Sequence, residues 1–543
     1  MPTKTNKLLI TIILIIACLT RVINLGNTPA LNSDEAALGY NAYSLLHTGK
    51  DEHGVAWPLH FKSFGDYKPG GYVYLAMPFV KVLGLTPLAV RLPNLIFSLL
   101  TIYILYKLIL LLTLDFRFSL LSAFVLAISP WHIHFSRGAW ESSVALSFII
   151  IGTYFFFKSI KNKFLLNFTI FVVFYVLSMY LYHSARIIAP LLALSLIVLY
   201  FKNLIKRIPQ IFIPIIIGFM LTLPVLLSFI NNGGTQRFSG VGLTADQGPV
   251  NRANELLNNH SNMNTFIRII HNKRILYLIS WAQKYTSHFE FNFLAINGDE
   301  VPRSKSPEMG QIHLIEVSLL ILGIIFLLKD KTIFKSKKSK IFIFFWLFIS
   351  PLASSLTFQA PSALRALPMV IPLAIFIAFT LNTFIVWTFK SRYWKLLVSC
   401  LLIIGYIFSA LYYLDSYFYH YAKRYPFAWQ YGFNEVISYL EKNQNKYKFV
   451  YVTDKYDQPY ILFLFYLKYS PQLIQKETQL TPPDQFGFST VKKFDRYHFE
   501  KLNWDNIPPK TLIIASDEMM PVEPLDIINF PNGQPGFKIY QKL

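Results

Sequence analysis

The chain has 543 residues, of which 54% are hydrophobic and only 15% charged, with a formal net charge of +22. A soluble domain carries roughly a quarter of its residues as Asp, Glu, Lys and Arg, so this composition, with a mean hydropathy of +0.41, describes a surface that faces lipid. Two cysteines, Cys18 and Cys400, both lie in apolar runs, which excludes a disulfide-stapled scaffold and a thiolate zinc site.

Apolar stretches near the length that crosses about 30 Å of hydrocarbon, roughly 20 residues, recur at 8–25, 90–112, 118–130, 141–157, 164–182, 187–201, 209–230, 312–328, 341–357, 366–389 and 396–414. They predict an α-helical polytopic membrane protein of about eleven spans. Lys4 and Lys7 precede the first stretch, but no small-residue cleavage site follows it, so it reads as a span rather than a signal peptide. Alternate connections collect the cations: Lys158, Lys161 and Lys163, then Lys202, Lys206 and Arg207, then six lysines between 329 and 340. These are the expected cytoplasmic loops, which puts the N-terminus in the cytoplasm and makes the positive charge an orientation signal rather than a nucleic-acid footprint. With no eukaryotic retention signal, the composition points to a prokaryotic plasma membrane.

The opposite connections, 26–89, 131–140, 183–186, 231–311 and 358–365, and the tail from 416, are expected on the exterior. The domain division is therefore 1–415, a membrane part with working loops 26–89, 131–140 and 231–311, and 416–543, a small α/β domain. In the tail, 434–442 reads as helix, 448–453 and 511–515 as strands, while 460–469 is too short to span. The stretch 265–289 mixes Ile and Leu with Arg268, Lys273 and Arg274, as a helix lying in the membrane interface would.

The first exterior loop opens on Leu31-Asn32-Ser33-Asp34-Glu35, and continues through Asp51 and Glu52 to Phe64-Gly65-Asp66-Tyr67-Lys68-Pro69-Gly70-Gly71-Tyr72. Two adjacent acids at the membrane surface are costly unless used, although Asn32 or Ser33 capping a helix that starts at Asp34 explains one of them equally well. The lysine in its Pro-Gly turn has the chemistry to hold a phosphate at the membrane surface.

This order of features, a first span, Asp34-Glu35 at its outer end, a long loop carrying Lys68-Pro69, many further spans and an exterior C-terminal domain, resembles the GT-C glycosyltransferases. It is most similar to the family-39 group of protein O-mannosyltransferases and lipid A aminoarabinose transferases. The resemblance implies transfer of a sugar from a polyprenyl-phosphate carrier to an acceptor on the exterior face. In the aminoarabinose branch a glutamate precedes the lysine, whereas here Tyr67 stands there with Asp66 before it.

The chemistry asks for the same residue types: a carboxylate to take the acceptor's proton and cations to stabilise the departing phosphate. Asp34 is the expected general base of an inverting displacement, with Glu35 holding the acceptor or tuning the base. Glu141, in Ser136-Arg137-Gly138-Ala139-Trp140-Glu141, is the expected second acid and is equally explained as an acid at a helix N-terminus. The exterior cations available to the donor phosphate are Lys68, Arg137, His183, Arg186 and Arg365, with Asp66 and Tyr67 in support. His132, His134 and His288 follow no zinc spacing, and lysine and arginine suffice for the phosphate, so no cofactor or tightly bound metal is expected. The expected partners are the lipid-linked donor, a lipid, glycan or protein acceptor, and membrane lipid. Two other classes remain open: a transporter or flippase of lipid-linked glycans, and a non-catalytic membrane assembly protein in which Asp34-Glu35 only caps a helix.

Overall fold

The computed structural model describes residues 4–231, 242–260, 264–386, 392–443, 446–482, 484 and 489–543. The chain forms two compact units: Met1–Thr20, Phe97–Phe135 and Ser142–Tyr413 make one, and Arg21–Ile96, Ser136–Glu141 and Leu414–Leu543 the other.

The first unit is a helical bundle. Each apolar stretch foreseen in the sequence holds a helix over most of its described part; 387–389, the end of 366–389, lies outside the described residues. Fewer helices than expected qualify as full spans. Among the described residues six are long and apolar enough, Lys4–Val22, Pro87–Thr113, Glu141–Lys161, Ala185–Ser228, Leu367–Val386 and Leu396–Arg424, or seven if Phe116–Ile128 and Pro130–Ser136, bent by 59°, count as one. Phe164–Met179 and Leu314–Lys329 have 16 residues each, about 24 Å at 1.5 Å per residue, which falls short of the hydrocarbon thickness.

Small residues and hydroxyls join the bundle. A Cβ on Gly323 would lie 2.0 Å from the Phe376 carbonyl oxygen, so only glycine lets Leu314–Lys329 approach Val370–Val386. Thr101 and Ser147 share a hydrogen bond of 2.6 Å, Thr153 and Tyr175 one of 2.7 Å, and Thr380 donates to the Leu319 carbonyl at 2.6 Å. Phe171, Val176, Pro190, Ile197, Ile211 and Phe219 are among the residues lining an apolar groove of about 590 Å³. Helices Thr265–Ile270 and Lys273–Thr286 leave Phe266, Ile269, Leu278 and Ile279 exposed beside Arg268, Lys273 and Arg274, the pattern of an interfacial segment.

The second unit joins the first loop to the tail. Helix Ser33–Thr48 is followed by the hairpin β1 (His60–Ser63) and β2 (Asp66–Pro69), paired antiparallel around the two-residue turn Phe64-Gly65. Both turn residues have positive φ, 57° and 84°, the geometry that matches strand twist in a two-residue hairpin and that normally excludes an aromatic side chain. In the tail, β3 (Phe449–Val452), β4 (Lys493–Phe494), β5 (Tyr497–Phe499), β6 (Thr511–Ala515), β7 (Asp526–Asn529) and β8 (Pro535–Lys542) form one sheet of order β4-β5-β3-β6-β8-β7. Strand β3 runs parallel to β5 and β6, and the other pairs are antiparallel. Helix Phe433–Asn443 buries Phe433, Val436, Ile437 and Leu440 at helical spacing, the two predicted strands coincide with β3 and β6, and 460–469 holds the buried helix Pro459–Tyr466.

These units divide the chain differently from the expected boundary at residue 415. The loop 26–89 and the end of 131–140 fold with the tail, because the tail supplies the partners of the first-loop helix. A Cβ on Gly39 would stand 2.6 Å from both Phe465 Cε2 and Val90 Cγ2. The Tyr40 hydroxyl donates to the Tyr469 carbonyl at 2.9 Å, and Gln475 Nε2 donates to the Asp51 carbonyl at 2.8 Å and to Thr48 Oγ1 at 3.0 Å.

Candidate active site

Asn32 is the N-cap of helix Ser33–Thr48, and its side chain accepts from the Glu35 amide at 3.1 Å while Glu35 reaches back to the Asn32 amide, completing a capping box. Consecutive residues on a helix project about 100° apart, so Asp34 and Glu35 part company. The Asp34 side chain is 44% exposed and meets Lys68 Nζ at 2.5 Å; the Lys68 side chain is 19% exposed and lies 5.0 Å from the Phe64 ring centroid. The strained hairpin turn therefore has a consequence: it aims Lys68 at the first turn of the helix. Phe64 is held in place by the tail, edge-on to Tyr460 at 6.2 Å between centroids, its carbonyl accepting from the Ser489 amide at 2.8 Å.

Glu35 faces inward and is buried. Arg91 grips it in a bidentate pair, Nε at 2.8 Å and Nη2 at 2.6 Å, and the Ala139 amide donates at 2.7 Å. The same guanidinium reaches the carbonyls of Leu25 at 2.8 Å, Pro29 at 2.9 Å and Ala30 at 3.1 Å. A carboxylate engaged at both oxygens has no lone pair turned towards an acceptor, so the expectation that Glu35 holds the acceptor does not fit; it ties the loop after the first span to the segment 136–141. Arg137 is corrected likewise. It is fully buried, donates to the carbonyls of Arg21, Ile23 and Thr28, and packs over the rings of Tyr417 and Phe418, which leaves it inaccessible to a lipid phosphate.

The other expected residues fall as follows. Glu141 is half-buried and opens helix Glu141–Lys161. Tyr67 is exposed beside Lys68, and the side chain of Asp66 lies outside the described residues. His183, Arg186 and Arg365 belong to the first unit. There Arg186 lies 3.4 Å from His183 Nδ1 and donates to the Met179 carbonyl at 3.2 Å, and Arg365 donates to the Gln359 carbonyl at 3.0 Å. His134 meets the Arg303 carbonyl at 2.8 Å, and His288 lies 2.8 Å from both Ser354 Oγ and the Lys284 carbonyl.

Three residues around the first-loop helix, Asn41, Glu52 and Arg91, were not assigned a role from sequence. Asn41, two turns along the same helix face as Asp34, clamps Glu52 by accepting from its amide at 3.0 Å and donating to Oε1 at 3.3 Å. Glu52 Oε2 is buried with no hydrogen-bond partner, as is the Tyr460 hydroxyl. Burial pushes the Glu52 carboxyl up to about 8, Asp51 adds to the rise, and Asn41 and Lys68 oppose it. Arg91 was hidden at the head of the apolar stretch 90–112, where a charge inside a hydrophobic run was the available signal. Among the described residues the region thus offers an accessible carboxylate, Asp34, joined to Lys68, with the buried acid Glu52 close enough to feel the lysine's charge.

The fold is similar to those of solved structures of two other proteins. ArnT from Cupriavidus metallidurans in its apo state superposes with a TM-score of 0.54 at 10% identity, covering 97% of each chain. The same protein bound to undecaprenyl phosphate gives 0.50 at 11% identity, covering 84% of each. The archaeal oligosaccharyltransferase AglB from Archaeoglobus fulgidus, in complex with an inhibitory peptide and a dolichol-phosphate, gives 0.51 at 12% identity; 84% of this chain is covered but only 63% of that one. By sequence, residues 11–169 match the dolichyl-phosphate-mannose-protein mannosyltransferase family. That stretch contains Asp34, Glu35, Lys68 and Arg91, so the resemblance drawn from the Asp34-Glu35 and Lys68-Pro69 motifs is matched by this family over residues 11–169. No curated protein sequence matches the chain.

Proposed function

We propose that the chain is an inverting glycosyltransferase that moves a sugar from a polyprenyl-phosphate carrier to an acceptor hydroxyl on the exterior face of a prokaryotic plasma membrane. The observation that carries this reading is the 2.5 Å pair of Lys68 with a half-exposed Asp34 at the head of the first-loop helix, beside a Glu35 fully spent on structure. It is supported by the GT-C-like fold and by the two relatives whose structures contain undecaprenyl phosphate and dolichol-phosphate.

In the proposed step Lys68 leaves Asp34 for the donor phosphate. The freed carboxylate takes the proton of the acceptor hydroxyl as its oxygen bonds to the anomeric carbon from the side opposite the phosphate. The bond from that carbon to the phosphate oxygen breaks, its electron pair goes to the phosphate, and Lys68 stabilises the added charge. Glu141 belongs to the same unit as Asp34 and Lys68 and is the proposed second acid.

The test is sugar transfer in proteoliposomes from a panel of polyprenyl-phosphate sugars, with the anomeric configuration of the product read by NMR. Release of polyprenyl phosphate with inverted product is the expected result. Retention of configuration, or movement of donor across the bilayer without cleavage, overturns the reading.

A further inference from the structure

Helix Ser33–Thr48 carries the proposed base on its first turn, and two glutamines of the tail hold its two ends. At the C-terminal end, Gln475 Nε2 lies 3.1 Å from Ser44 Oγ, 3.0 Å from Thr48 Oγ1 and 2.8 Å from the Asp51 carbonyl. At the N-terminal end, Gln430 Oε1 accepts from the Ser33 amide at 2.6 Å and its Nε2 donates to the Asp457 carbonyl at 2.6 Å. The first amides of a helix have no partner within it. Here that of Ser33 is buried, and its acceptor comes from a residue 397 positions later. Gln430 is itself buried at 5% exposure, with its backbone at a φ of 51°, a conformation that persists only where the surroundings enforce it.

We propose that Gln430 is a positioning residue for the transfer step: through the Ser33 amide it fixes the helix turn from which Asp34 meets Lys68. The tail is then part of the catalytic apparatus rather than a cover or an acceptor-selecting module. Losing the side chain leaves the buried Ser33 N–H and the Asp457 carbonyl each without its partner. The first turn relaxes and Asp34 shifts, while Lys68, carried by the hairpin, stays able to meet the donor. Gln475 holds the far end of the same helix by comparable bonds, so it reports what a merely structural tie does. This inference rests on the reading of Asp34 as the base.

The experiment compares the full chain with Gln430→Leu, Gln430→Glu and Gln475→Leu in nanodiscs. The expected result for Gln430→Leu is a kcat per folded molecule lowered roughly 10- to 100-fold, the scale for displacing a reacting group by about 1 Å, with donor affinity within about two-fold. Gln430→Glu keeps an acceptor oxygen for the Ser33 amide and recovers most of kcat, and it also serves if the leucine variant does not fold. Gln475→Leu lowers the melting temperature but leaves kcat within about two-fold. Amide hydrogen exchange gives a readout without turnover: residues 33–36 exchange faster in Gln430→Leu, and the helix C-terminus in Gln475→Leu. Equal kcat in the two leucine variants, or unchanged exchange at 33–36, overturns the proposal. If the exchange pattern appears but Asp34→Asn turns over normally, the assignment of the base has failed instead, and the proposal fails with it as catalytic positioning.

Discussion

Replacing Arg91 by Met removes both guanidinium bonds to Glu35 and the bonds to the carbonyls of Leu25, Pro29 and Ala30. Arg91 is fully buried and Glu35 is 4% exposed, so the carboxylate left behind has no access to water. Breaking such a buried pair costs about 3–5 kcal/mol, and at roughly 2–4 °C per kcal/mol the melting temperature falls by roughly 6–20 °C. Glu35→Gln keeps the shape and removes the charge, and in the double variant Glu35→Gln with Arg91→Met the loss is smaller than in Arg91→Met alone, since no charge remains stranded. The assay is thermal unfolding of purified protein in detergent, run as a double-mutant cycle, beside turnover per folded molecule. The reasoning is refuted if Arg91→Met unfolds within 1 °C of the parent, or if Glu35→Gln folds normally and transfers no sugar. The latter would return Glu35 to the chemistry.

Burial of Glu52 gives stability a pH dependence. Its carboxyl titrates near 8 in the folded chain and at the ordinary 4.5 when unfolded, so the folded state binds more protons between these values and stability falls as pH rises through the window. His53, pushed down to about 4 by burial, acts in the opposite direction only up to its ordinary 6.5. Between pH 6.5 and 8, unfolding scans are therefore expected to show a loss approaching about 1.4 kcal/mol per pH unit, absent in Glu52→Gln; parallel curves for the two proteins contradict the assignment. Gly39→Ala forces a Cβ to within 2.6 Å of Phe465 and Val90, and overpacking at that contact is expected to cost about 1–3 kcal/mol, measured by the same scans; an unchanged melting temperature would show that helix Ser33–Thr48 does not pack so closely on the tail.

The sequence exposed whatever announces itself by charge or periodicity. Asp34 and Lys68 stand out as ionisable groups at a membrane edge, and the structure brings them to 2.5 Å. Adjacency misled at Glu35: neighbouring acids read as a catalytic pair, but a helix sends the second inward, where Arg91 waits. Arg137 misled in the same way, since an arginine in an exterior loop is indistinguishable in sequence from one folded back onto carbonyls. The count of about eleven spans followed runs of apolar residues; among the described residues six helices, or seven with the bent pair, reach the length and composition of a span on their own. Gln430 and Gln475 carry no charge and act across some 400 positions, so no local pattern could mark them, and the joining of loop and tail into one unit stayed hidden with them.

The most direct test of the account separates binding from chemistry at the Asp34–Lys68 pair. Donor affinity and single-turnover release of polyprenyl phosphate are measured for the parent chain, Asp34→Asn and Lys68→Ala, with a donor that the parent cleaves. The account predicts that Asp34→Asn binds donor as tightly as the parent but transfers at least about 100-fold more slowly, the scale of general-base catalysis, and that Lys68→Ala loses donor affinity. Transfer by Asp34→Asn at the parent's rate, or donor affinity unchanged in Lys68→Ala, would contradict it.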